Sequence, residues 1–105
     1  MNKTKSVLIF LTLSLTVTFG FAANCPSQPN TPGWMNPYSL NSGTWTKAAW
    51  KQSQGGVMYC YYKSSLPFSE FIYKTGITKP TSSNWTYDPA SQTLQCNSGL
   101  TQCTF

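Results

Sequence analysis

Four cysteines, two carboxylates and no histidine make up the chemically pointed part of this 105-residue chain. Without an imidazole there is no His-containing hydrolytic triad, no His-ligated metal and no imidazole general base. Glu70 and Asp88 remain as an acid/base pair of the glycosidase kind. Asp88 stands before Pro89 in "DPAS", a turn signature in which an aspartate ordinarily caps its own backbone. The cysteines, Cys25, Cys60, Cys96 and Cys103, show neither the two-residue spacing of a redox motif nor the short paired spacing of a zinc site. Their even number points instead to two disulfides, for which three connectivities exist. The favoured pairing is Cys25 with Cys60 and Cys96 with Cys103, the first tying an irregular arm to a strand and the second closing a local loop. The expectation is a protein without catalytic activity, cofactor or metal.

That reading needs an oxidising compartment, and the start of the chain supplies a route to one. Lys3 and Lys5 precede an uncharged apolar block from Val7 to Phe21, and Gly20 and Ala22 form the small pair a signal peptidase requires. Residues 1–22 therefore read as a secretory leader. Thr12, Ser14, Thr16 and Thr18 make the block too polar for a good membrane span, and Asn24 before Cys25 departs from the lipoprotein pattern. No stable membrane anchor is expected after cleavage. Removing 22 of 105 residues leaves 83, a single domain small enough to need covalent staples. Without Lys3 and Lys5 the formal charge of +5 falls to +3. The remaining lysines are scattered and arginine is absent, so nucleic acid is not an expected partner.

The elements that must position these residues follow from punctuation and composition. Pro26, Pro29, Pro32 and Pro37 make residues 23–43 an extended arm that neither helix nor internal strand can occupy. Residues 44–105 then read as one β-rich domain of short aromatic and β-branched segments between Gly, Ser, Asn and Pro clusters. "TWTKAAWK" (44–51) reads as a strand, with a helix competing because of its alanines and lysines. "QSQGG" is a turn, "VMYCYYKS" the best strand, and "LPFSEFIYKTG" another. "NWTYDPASQTLQC" is a hairpin pairing Trp85–Tyr87 with Thr93–Cys96. The fold class is all-β, or α+β if 44–51 is helical: a small disulfide-stapled antiparallel sheet or sandwich with a Pro-rich arm.

After position 22 there are seven Leu, Ile and Val residues against thirteen aromatics, so the core must be largely aromatic. In "VMYCYY" one face carries Val57, Tyr59 and Tyr61 and the other Met58, Cys60 and Tyr62. Two apolar-bodied faces predict a central strand covered on both sides. Rings left over from the core are candidates for contact: Trp34 and Tyr38 on the arm first, then Trp50 and Trp85. Such rings suit a protein partner in the envelope. The rival occupant is a glycan, gripped by Trp and Tyr platforms on a β scaffold. Asn84 opens an "NWT" glycosylation acceptor pattern, relevant only in a eukaryotic host.

"NCP" after the leader, then "GW", "AAW", "VMYCYY", "LQC" and a terminal "CTF", resemble small exported EirA-like, type IV secretion-associated proteins of Legionella- and Coxiella-type gammaproteobacteria. The resemblance implies a periplasmic, noncatalytic accessory that supports effector export or envelope integrity, and it carries over no site residue. The function expected is thus binding of a protein partner in the periplasm. The alternatives are a small exported carbohydrate-binding module and a secreted effector or toxin-like protein.

Overall fold

The structure is a computed structural model that describes residues 23–65 and 67–105; the predicted leader lies outside the described residues. Five antiparallel strands form one sheet: β1 (Thr44–Lys51), β2 (Val57–Lys63), β3 (Ser69–Thr75), β4 (Thr86–Asp88) and β5 (Thr93–Cys96). Their spatial order is β3-β2-β1-β5-β4. The chain is all-β, and of the two architectures expected it is the single sheet, not a sandwich.

Residues 44–51 are strand despite their alanines because small side chains are what the centre of this sheet requires. Ala48 pairs with Cys60 on β2 and with Cys96 on β5, and it is fully buried. Cys60 in turn faces Ile72 on β3. Both disulfides, Cys25–Cys60 and Cys96–Cys103, rise from this one transverse row, flanking a residue with no more than a methyl group. The pairing is the one favoured from the sequence, and it places the protein in an oxidising environment, outside the reducing cytosol.

Each disulfide brings a cover onto the same face of the sheet. Cys25 carries the arm, whose Pro29 and Leu40 are buried and whose Pro26 carbonyl accepts the Tyr62 hydroxyl. Cys103 carries the C-terminal tail, where Phe105 meets Trp85 and Trp34 edge-on. Backbone hydrogen bonds join Ala23 and Phe105 in both directions, at 2.7 and 2.8 Å, so the two covers are also fastened to each other. Along the arm, Met35 exchanges two hydrogen bonds with Tyr73, of 2.8 and 2.9 Å, and shields the free edge of β3.

Because β3 and β4 lie at opposite edges, residues 76–85 must cross the sheet, and they do so over the covered face. The Trp50 indole donates to the Ile77 carbonyl at 2.8 Å, and the Trp85 indole donates to Thr104 at 2.9 Å. Gly56 is the point of closest approach: a Cβ there would stand 2.0 Å from the Ile77 oxygen, and its φ of 95° favours glycine as well.

The opposite face has no second layer among the described residues. Val57 and Ala49 are buried there, while Tyr59, Tyr61, Phe71 and Tyr73 are half-buried by one another. The expectation of a β2 covered on both sides is therefore corrected. The residues are apolar-bodied on both faces, but among the described residues the arm, the tail and the 76–85 connection all cover the same one. No helix among the described residues is long and apolar enough to cross a membrane.

Two expected outcomes follow from the stapling. In urea unfolding, replacing both Cys25 and Cys60 by alanine should destabilise the fold by about 4 kcal/mol, and replacing Cys96 and Cys103 by about 2.5 kcal/mol, because the first bridge closes the longer loop. The reverse order would contradict the loop argument. Ala48→Val should lower stability by about 1 to 3 kcal/mol through overpacking between the two cystines.

Candidate functional site

The alternation of three strands assembles the exposed aromatic surface. Tyr61 faces Phe71 and Tyr59 faces Tyr73 across the β2–β3 ladder. The rings interlock: Tyr59–Phe71 is edge-to-face with centroids 5.3 Å apart, Tyr61–Phe71 is tilted at 5.6 Å, and Tyr59–Tyr73 at 5.8 Å. Tyr38 reaches in from the arm and stands edge-on to Phe71 at 5.4 Å, while remaining 52% exposed. Five rings thus gather on one face of a small domain, with no covering layer among the described residues.

A β-bulge decides what lies beside them. The β1–β2 register shifts between Trp45, opposite Tyr62, and Lys47, opposite Tyr61, with the Thr46 hydroxyl donating to the Tyr61 carbonyl at 3.3 Å. Residues 45 and 47 would share a face in a regular strand; here Trp45 turns to the covered side and Lys47 to the open one. The Lys47 ammonium sits 4.9 Å from the centre of the Tyr61 ring, a cation–π contact. Lys51 and Lys63 stand on the same face by alternation, so three lysines border the rings.

Beyond β1 the open face becomes polar. Gln95 donates to Asp88 at 3.2 Å, Ser91 at 3.3 Å and Thr93 at 3.1 Å. Asp88 also accepts from the Ala90 amide at 3.1 Å and the Ser91 hydroxyl at 2.9 Å. The turn-capping role read for Asp88 is thus the one it performs. A shallow trough of about 320 Å³ separates this network from Tyr59 and Tyr61, with Lys47 along it.

Burial raises the Tyr61 phenol above its ordinary pKa, helped by the nearby phenols of Tyr59 and Tyr38. Burial alone raises Tyr62 on the covered side. The Tyr61 phenol at the centre of the open face is therefore neutral at physiological pH.

The sequence-derived candidates separate into surface and interior. Tyr38 is exposed and belongs to the open aromatic surface. Trp34 is partly buried against Phe105, with the Lys74 ammonium 5.9 Å from its ring centre. Trp50 and Trp85 are each only 8% exposed, with their indole N–H groups bonded to backbone carbonyls, so their rings serve the core. Only an edge of Trp50 reaches solvent, in a cleft beside Tyr87 and Leu94. Tyr59, Tyr61, Phe71 and Tyr73 were not among the candidates. The signal that could have found them is register: pairing "YCY" against "FIY" in antiparallel order stacks all four on one face.

The two carboxylates do not form a pair. Glu70 lies on β3 on the covered face and Asp88 on β4 on the open face, four strand spacings apart, or about 19 Å. A glycosidic pair requires about 5 to 9.5 Å. All four cysteine sulfurs are joined in disulfides, and no group of three or more His, Cys, Asp or Glu among the described residues is placed to hold a metal ion.

No family model, curated protein or solved structure matches the chain.

Two measurements test this partition of the rings. Trp45 carries a buried indole N–H with no hydrogen-bond partner, whereas those of Trp50 and Trp85 are bonded. Trp45→Phe should change stability by less than about 1 kcal/mol, and Trp50→Phe or Trp85→Phe should each cost about 1 to 3 kcal/mol. For the phenols the sign is fixed by their raised pKa. The folded state holds the proton more tightly than the unfolded chain, so this stability is complete below about pH 10 and is lost as pH rises towards the folded value. The urea midpoint should fall above about pH 10, and less steeply in Tyr62→Phe.

Proposed function

We propose that this is an exported, noncatalytic binding protein of the periplasm that docks a protein partner on its open tyrosine face. The observation that carries the reading is the surface of Tyr38, Tyr59, Tyr61, Phe71 and Tyr73, backed by a rigid stapled sheet and left without a covering layer among the described residues. Tyrosine suits such a contact, because its ring supplies apolar area and its hydroxyl keeps the surface soluble when the partner is absent. The interlocked rings also lie at many angles to one another, from 33° to 88°. A flat sugar-stacking platform calls for coplanar faces, whereas a protein surface can meet edges and faces alike.

Charge indicates the partner's chemistry. The face carries Lys47, Lys51 and Lys63, and its one carboxylate, Asp88, is occupied in the hairpin turn. Two copies meeting through this face would bring lysine against lysine, so the occupant is a different protein with an acidic, aromatic-compatible patch. The resemblance to EirA-like exported proteins agrees with an accessory role in type IV secretion or envelope integrity.

The test is site-specific photo-crosslinking in the native host, with the reactive group placed at Phe71 or Tyr73 and, as a control, at Thr101 on the tail. A discrete adduct from the open-face positions alone is expected, weakened by added salt and lost in Tyr59→Ser/Tyr61→Ser, a variant that leaves the covered core intact. Equal adducts from the tail, or adducts indifferent to the double replacement, would remove the assignment.

A further inference from the structure

A separate cleft opens at the turn end of the covered face, and the geometry points to a saccharide-binding site there, for a sugar that bears a carboxylate. Tyr87, Leu94 and Trp50 are register partners across β4, β5 and β1, so they form one row with leucine between the two aromatics. The aromatic residues stand two strand spacings apart, about 10 Å. This makes a slot of about 400 Å³ with an aliphatic floor, the Tyr87 ring on one side and the solvent-reaching edge of Trp50 on the other. The Trp50 ring is immobilised by its bond to Ile77, while Tyr87 is 57% exposed and stands as the outer wall.

The polar rim comes from two turns at the same end of the sheet. Gln52 and Ser53 come from the β1–β2 connection and Gln92 from the β4–β5 hairpin. Gln54 and Gln92 have φ of 55° and 56°, the left-handed region where glycine or asparagine is the easier residue. Gln92 lines the cleft, and a glutamine held at that cost in the hairpin is explained if its side chain binds something. Amide and hydroxyl groups around apolar rings match a sugar, which offers hydroxyls at its edge and C–H groups on its face. Lys51 and Lys79 complete the lining, which contains no carboxylate, so an acidic sugar is favoured over a neutral one.

The site lies on the other face from the tyrosine surface and stands or falls independently of the partner proposed there. The experiment titrates the full chain, disulfides intact, with trigalacturonate and with its methyl ester, following amide shifts by NMR. Saturable shifts should cluster at residues 50–53, 79 and 87–94. Affinity should fall about tenfold in Tyr87→Ser, the loss of one aromatic wall, and by a similar factor for the methyl ester. Gln92→Gly is the discriminating variant: it should raise the melting temperature by relieving the left-handed backbone, yet weaken trigalacturonate binding. No saturable shift with trigalacturonate, or shifts confined to the tyrosine face, would overturn the site. Undiminished binding in both Tyr87→Ser and Gln92→Gly would do the same, and equal binding of the methyl ester would overturn the acidic sugar.

Discussion

The rest of the molecule depends on one transverse row, Cys96–Ala48–Cys60–Ile72, running across four of the five strands. Two of its members are half-cystines whose sulfurs point to the same side, and each holds a segment that has no regular structure of its own: the Pro-rich arm and the C-terminal tail. A domain with seven branched aliphatic residues after position 22 cannot drive two sheet faces together by burial alone. The sulfur bonds reduce the freedom of the unfolded chain, and they also choose which face becomes interior. Ala48 follows from that choice, since a larger side chain would compete with both cystines for the same volume.

Once one face is interior, the two aromatic types sort by what their polar atoms need. Tryptophan has a single donor that usually finds an acceptor when buried, and Trp50 and Trp85, unlike Trp45, find backbone carbonyls on the crossing connection and the tail. Those bonds make the tryptophans tethers as well as filler, because they fix segments that no strand ladder reaches. Tyrosine can be half wet, and Tyr59, Tyr61 and Tyr73 occupy the uncovered face, where their rings are half-buried. Tyr62 is the exception that confirms the sorting: fully buried, it reaches the Pro26 carbonyl with its hydroxyl.

Much of this was legible in the residue order. The strands at 44–51, 57–63 and 69–75 are bounded by the turn residues that announced them, the hairpin expected on Trp85–Tyr87 and Thr93–Cys96 forms one residue later on its first strand, at Thr86–Asp88, and the local C-terminal bridge follows from the closeness of Cys96 and Cys103. Sidedness was not legible. Both faces of β2 have apolar bodies, so alternation says nothing about which one a non-local segment will cover. Periodicity also fails at Thr46, where one bulged residue sends Trp45 and Lys47 to opposite faces. The connection over 76–85 carries no period, because it is placed by a tryptophan bond and by the absence of a side chain at Gly56. The surface candidates suffered for the same reason: Trp50 and Trp85 look like spare rings until the carbonyls they tether are known.

The opposite placement of the two proposed surfaces has a consequence at Lys51. It ends β1, stands on the open face by alternation, and yet lines both the trough beside Tyr59 and the cleft beside Trp50. A long flexible cation at a strand end can lean either way, but it can neutralise only one anion at a time. An acidic protein on the tyrosine face and an acidic sugar in the cleft would therefore compete for one charge without touching each other. Linkage makes such competition reciprocal: whatever affinity the first occupant takes from the second by drawing Lys51 aside, the second takes from the first. The coupling is limited to a single solvent-exposed charge, worth about 1 kcal/mol or less, and it fades with salt. A stapled sheet can in this way make two faces sense each other through the reach of one side chain.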